Sequence, residues 1–334
     1  MLKLENIKKS YGPLSVLDIP SWEVKQGESV ALLGANATGK TTLLEITAGL
    51  IQPTQGVVHF EGKSVTSPRT EIRIVLQNPV MFSTSVAGNI AYGLHGNGIT
   101  GRERAERIRE ALRIVGLENL SRKNALVLSE GQKQRVAIAR TLALKPRLLL
   151  LDEPSASVDK SSMQHIGEIL RRLNEKEGLT IIVATHDLDF ARRIAKRTDT
   201  MRNGRPVPYI SGNMYTGAAF DNNGETQVGI GADVSLVIGG IYRGAVDIII
   251  PPEHVVLSKS PIESSMRNRF KGRVVRLAEE DGRVSVAVDI GVPISAALTH
   301  SALADLGITI GNDIYVSFKA HGVIVFPHEE GGTK

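Results

Sequence analysis

The sequence predicts an α/β domain built on a parallel sheet, followed by a smaller, mainly β domain. Three observations point there. Short apolar runs at residues 29–33, 147–151 and 180–184 alternate with helical segments up to about residue 200. Strands that are apolar throughout belong to a parallel sheet covered on both faces. Asn203, Gly204, Pro206 and Pro208 then punctuate the chain as a linker. Beyond them the period becomes two. Val284, Val286 and Val288 alternate with Ser285, Ala287 and Asp289 after an Asp281-Gly282 turn, and Ile314, Val316 and Phe318 alternate likewise. The stretch from about Arg102 to Leu144 is helical and charged, which adds a helical subdomain to the first domain.

A chain of 334 residues supports two cores. Aromatic residues are only 4%, too few for platforms that stack single-stranded nucleic acid, so no nucleic-acid partner is expected. With no cysteine, disulfides and thiolate metal sites are excluded. The histidines show no pair at zinc-ligand spacing. A net charge of +5 suits phosphates, an oxyanion or an anionic membrane surface, or else only a solvated exterior. The first residues lack the apolar stretch of a secretory signal. No run approaches the ~20 apolar residues that span a bilayer. A membrane role is therefore expected to come through a partner.

Residues 34–42 read GANATGKTT, the G-x-x-x-x-G-K-[ST] spacing, after an apolar strand and before a helix. In that context Gly34, Ala35, Asn36, Ala37, Thr38 and Gly39 wrap phosphates with converging backbone N–H groups, helped by the helix N-terminus. Lys40 reaches the β and γ phosphates, Thr41 ligates Mg²⁺, and Thr42 bonds the α phosphate of ATP.

Residues 147–154 read RLLLLDEP, which places Asp152 and Glu153 at the C-terminal end of a buried strand, where open α/β sheets bind ligands. Asp152 is placed to hold Mg²⁺ through water, and Glu153 to polarise the attacking water as general base. Taken alone, the pair serves equally well as a helix cap.

The segment LSEGQ at residues 128–132, continuing KQRVAIARTLALKP, resembles the signature motif of ABC ATPases. The order of phosphate loop, signature and LLLLDEP is specific to that family, and the resemblance covers about residues 1–205. It implies a P-loop NTPase fold with a helical subdomain at about 80–145. It also implies roles for single residues: Tyr11 stacks on adenine, Gln77 in IVLQNP senses Mg²⁺ and the membrane partner, and His186 in VATHD contacts the γ phosphate. Ser157, Val158 and Asp159 match the D-loop. Ser129 can cap the helix that follows it, creating a second anion site. In the family this site faces the nucleotide of the other subunit, so Ser129, Glu130, Gly131, Gln132 and Asp159 act in trans in a head-to-tail homodimer. Glu130 replaces the usual first glycine, and either points away from the phosphates or slows hydrolysis. Ala37 replaces a common glycine, a mild change.

VAGNIAYGL at residues 86–94 resembles the stretch of importer ATPases that meets the permease. The resemblance implies a peripheral subunit on the cytoplasmic face of the cell membrane, working with integral membrane permease subunits and indirectly with an extracytoplasmic oxyanion-binding protein. The remainder, residues 206–334, resembles importer regulatory domains. IIIPPEHVVLS, SSMRN at 264–268 with FKGRVV, ISAALTHSALADLGI and DIYVSFKAHGVIVF follow the OB-like Mop/TOBE-type pattern at about 262–328. They resemble the tails of tungstate and molybdate importer ATPases, with the SSMRN wording favouring tungstate. Ser265, Met266, Arg267, Asn268, Ser301 and Lys319 supply donors for a tetrahedral dianion, and the resemblance implies that its binding inhibits transport. The alternatives are a β tail that only dimerises or stabilises, a sugar, sulfate or iron cargo, and a soluble ABC protein acting on DNA or ribosomes.

Overall fold

The computed structural model describes residues 1–156, 158–210, 212–231, 233–280 and 282–327, with the backbone alone at Glu280. Ser157 of the expected D-loop and Asp281 of the expected turn lie outside the described residues. The chain divides into two compact units, Met1–Tyr209 and Ile210 onward.

The first unit runs through β1 (Leu2–Tyr11), β2 (Leu14–Val24), β3 (Ser29–Leu33), α1 (Lys40–Thr47), β4 (Gln55–Phe60), β5 (Lys63–Ser64) and β6 (Ile72–Val75). Three helices follow, α2 (Val86–Gly96), α3 (Gly101–Val115) and α4 (Glu130–Leu142). Then come β7 (Leu148–Asp152), α5 (Lys160–Glu177), β8 (Thr180–Thr185), α6 (Leu188–Ile194), β9 (Arg197–Arg202) and β10 (Arg205–Pro208). The central sheet has the order β10-β9-β3-β8-β7-β6, parallel except for β10. Its apolar strands divide their residues between two cores. Val30, Leu32, Leu148, Leu150 and Ile182 face one core with α1, while Leu149, Leu151, Ile181 and Val183 face the other with α2–α5. Strands buried on both faces need no polar alternation.

Two features differ from the sequence reading. A four-stranded antiparallel sheet, β2-β1-β4-β5, covers the first core, with Leu2, Leu4, Ile7, Leu17 and Ile19 turned inward. Its alternation resembles that of the C-terminal strands and was not separated from the βα pattern. The supposed linker begins as a hairpin: Asn203 (φ 46°) and Gly204 (φ 73°) form the turn between β9 and β10. Both adopt positive φ, as a two-residue hairpin turn of type I′ demands.

The second unit contains β11 (Asn213–Asn222), β12 (Glu225–Ile230), β13 (Val234–Val237), β14 (Gly244–Ile250), β15 (Val256–Ser258), β16 (Asn268–Glu280), β17 (Arg283–Asp289), β18 (Pro293–Leu298), α7 (His300–Leu306), β19 (Asp313–Phe318) and β20 (Ile324–Pro327). Two antiparallel sheets, β13-β12-β11-β14-β20 and β15-β19-β16-β17-β18, enclose one core. Val284, Val286, Val288, Ile314, Val316 and Phe318 point into it, as their alternation requires.

Candidate functional site

The phosphate loop joins β3 to α1. Gly39 caps α1 at φ 94°, where a Cβ would meet Leu17 Cδ2 at 2.8 Å. No side chain caps this helix, and its first turn carries no acid, so its N–H groups face the groove. Thr38 Oγ1 donates to the Ala35 carbonyl at 2.9 Å. Lys40 is only 5% exposed and turns back on the loop, donating to the carbonyls of Gly34 (2.6 Å) and Ala35 (2.9 Å). Ala37 sits at φ 65°, the left-handed conformation that favours glycine, so the replacement carries a backbone cost.

The β7 carboxylates converge on that loop. Thr41 Oγ1 donates to Asp152 Oδ2 at 2.8 Å. Asp152 Oδ1 is buried without a hydrogen-bond partner among the described residues, and burial pushes this carboxyl above its ordinary value, against the pull of the Thr41 hydroxyl. Glu153 follows at φ 45°. This turn aims its carboxylate between two groups: Oε1 lies 3.3 Å from Lys40 Nζ, outside hydrogen-bond geometry, and Oε2 lies 2.9 Å from His186 Nδ1 at the end of β8. The His186 N–H donates to the same Oε2 at 3.3 Å.

A groove of about 370 Å³ runs over these groups. Its walls include Asn36, Thr42 and Gln77, with Tyr11, Leu14 and Val16 at one edge. The exposed Tyr11 and Leu14 give that edge a flat apolar character that suits a base. Sequence reasoning found Tyr11 but not Leu14 or Val16, which carry no motif.

None of the signature residues lines the groove. Ser129 caps α4, where its Oγ accepts from the Gln132 N–H at 3.4 Å and Gln132 Oε1 accepts from the Ser129 N–H at 3.2 Å. The two bonds form a capping box that fixes Ser129 at the start of α4. Glu130 pairs with Lys133 at 2.8 Å, one turn along the helix. Gly131 abuts Ser162, whose N–H and hydroxyl donate to the two Asp159 oxygens at 2.9 and 2.7 Å. These bonds hold the Asp159 carboxyl below its ordinary value. Ser162 was not singled out in the sequence, although Asp159-x-x-Ser162 is a helix-start pattern.

In the second unit, Ser265, Arg267 and Lys319 share a groove of about 440 Å³. The other three expected donors are engaged elsewhere. Asn268 is 2% exposed and pairs with the Val237 backbone in both directions at 2.8 Å, which fixes it as a structural amide. The Met266 N–H donates to Ser264 Oγ at 3.3 Å. Ser301 lies on α7, whose neighbour His300 sits 3.6 Å from Glu279, at the opposite end of β16 from Asn268. Sequence order alone could not show which end of a long strand each residue reaches.

Lys40, Thr41, Asp152, Glu153 and His186 at strand ends of a parallel sheet define a phosphate-loop nucleotide-binding cassette. The family described as ABC transporter matches residues 17–156, and the TOBE domain matches residues 264–325. The molybdate/tungstate import ATP-binding protein WtpC of Pyrococcus abyssi is 34% identical over 98% of this chain and 100% of its own length. Among solved structures, cbiO1 from Clostridium perfringens, part of the ABC transporter complex cbiONQ, has a TM-score of 0.58 at 34% identity over 62% of this chain and 86% of that one. A dimeric post-hydrolysis state of the ATP-binding cassette MJ0796, bound to ADP and Pi, has a TM-score of 0.57 at 30% identity over 62% and 96%. The chain belongs to the ABC transporter ATP-binding subunits carrying a C-terminal TOBE domain, and it is an ATP-hydrolysing enzyme. Catalysis in this family depends on ATP and Mg²⁺.

The residues present fit Mg²⁺. Asp152 Oδ1 is a buried oxygen without a hydrogen-bond partner among the described residues, beside a threonine hydroxyl, which is the hard-oxygen set this ion takes. No helix among the described residues is long and apolar enough to cross a membrane.

Proposed function

We propose that this chain is the ATPase subunit of a tungstate or molybdate importer, peripheral on the cytoplasmic face of the membrane. The observation that carries the reading is the similarity to WtpC along the whole chain, including the C-terminal unit with its Arg267–Lys319 groove. The chain works as a head-to-tail homodimer. The nucleotide lies over the groove of one copy, and Ser129 and Asp159 of the other close it. The absence of Ser129 from the groove wall of a single copy supports this arrangement.

In that dimer Lys40 exchanges its two loop carbonyls for β and γ phosphate oxygens, and Tyr11 stacks on adenine. Thr41, Asp152 and Gln77 would hold Mg²⁺, which would neutralise charge on the phosphates when bound. Glu153 accepts the proton of the attacking water, and His186 holds the carboxylate in position and reaches the γ phosphate. The permease docks on α2 near Gln77. There Tyr92 is 63% exposed and its ring lies 4.3 Å from that of Phe82, an apolar patch suited to a partner helix. An extracytoplasmic oxyanion-binding protein delivers cargo to that permease.

Abundant cytoplasmic oxyanion binds the C-terminal groove and inhibits transport. Calorimetry of the purified chain with tungstate, molybdate and sulfate tests the cargo. The reading expects binding of the first two; a protein that takes up none of them has a tail without anion sensing.

A further inference from the structure

The C-terminal groove also holds an acid. Arg267 Nε lies 3.3 Å from Glu225 Oε1, and both residues line the cavity with Lys319 and His321. Glu225 opens β12 and pairs with Asn222 across the β11–β12 hairpin. The Gly224 N–H donates to Asp221 Oδ1 at 2.9 Å and shapes that turn. Arg267 comes from the segment before β16, so one ion pair ties the hairpin tip to that segment.

On the anion reading given above, a carboxylate in this groove is opposed by like charge once a dianion enters. A tetrahedral dianion is the stronger claimant for a guanidinium, since it offers more charge and two oxygens to the planar fork. The existing pair is exposed, at 69% and 41% of the two side chains, and such pairs contribute at most about 1 kcal/mol. Displacement is therefore within reach of a bound anion.

We propose that Glu225 is a built-in competitor of the anion: it holds Arg267 when the groove is empty, and a tetrahedral dianion takes Arg267, expels Glu225 and loosens the β11–β12 hairpin tip. The inference rests on the anion reading given above and adds to it a threshold and a first structural response. With Glu225 expelled, the hairpin loses its tether to the segment before β16 while β12 keeps its ladder with β11 and β13. The response is thus confined to the tip.

The test combines calorimetry and amide hydrogen exchange on the full chain with sodium tungstate, for wild type, Glu225→Gln and Arg267→Ala. Glu225→Gln is expected to tighten tungstate by up to about fivefold. Tungstate is expected to speed exchange at residues 221–226 in wild type and leave it unchanged in Glu225→Gln, where the tip is already loose. Arg267→Ala should lose binding. Equal affinity in wild type and Glu225→Gln overturns the competitor. Tighter binding without any exchange change in wild type overturns displacement and leaves a plain charge effect. Absence of tungstate binding by wild type removes the anion reading itself, and this inference with it.

Discussion

Gly131 and Ser162 are pressed together so closely that a methyl group at residue 131 would lie 2.3 Å from Ser162 Oγ and 2.5 Å from its Cβ. One belongs to the first turn of α4, behind Ser129, and the other to the first turn of α5, behind Asp159. The two groups assigned to the opposite nucleotide are therefore set by one intrachain contact.

Gly131→Ala should force α4 and α5 apart. Overpacking of this kind costs about 1–3 kcal/mol, visible as a lower urea midpoint. The ATPase rate should fall further than stability alone explains, because Ser129 is displaced with the helix. Measuring kcat under conditions where the variant remains folded separates the two effects.

Glu130→Gly should change kcat by less than about threefold. The carboxylate is held by Lys133, and exposed pairs of this type contribute little. A large gain in rate would show that Glu130 faces the phosphates during turnover.

Asp152→Asn should raise the stability of the nucleotide-free protein at neutral pH and abolish its stabilisation by Mg²⁺-ATP. The fold raises this carboxyl above its ordinary value of 3.8 through burial. Such a group favours the protonated form in the folded state. Its contribution is full below 3.8 and is lost as pH rises through the raised value. Thermal melts with and without Mg²⁺-ATP read both effects.

Asn268→Ala should lower stability by about 2–3 kcal/mol through the two lost bonds to Val237. Arg267→Ala, at an exposed side chain, should leave stability and basal ATPase unchanged while abolishing inhibition by oxyanion. Denaturant titration and anion-dependent ATPase assays distinguish a structural amide from a ligand-binding guanidinium.

How much of this was legible in the sequence depended on the kind of interaction. The apolar runs of β3, β7 and β8 reported their own burial, and Lys40, Thr41, Asp152 and Glu153 stood in spacings that only a strand-loop-helix turn brings together. The N-terminal antiparallel sheet was hidden, because period-two alternation does not say which sheet a strand joins. Leu14, Val16 and Glu225 reach their partners through tertiary packing and carry no local pattern; Ser162 shows a helix-start spacing with Asp159, but its contact with Gly131 is equally tertiary. Asn268 shows a related limit: an amide before a strand can donate to a ligand or to the backbone, and the pairing with Val237 is visible only in the fold.

The dimer with nucleotide at its seam is tested most directly by a crystal structure of Glu153→Gln with Mg²⁺-ATP. Removal of the base should cut hydrolysis by about 10²-fold or more and trap the closed pair. The account predicts Ser129 Oγ within hydrogen-bond distance of the γ phosphate bound to the other copy. A closed, nucleotide-filled dimer in which Ser129 contacts no phosphate would contradict it.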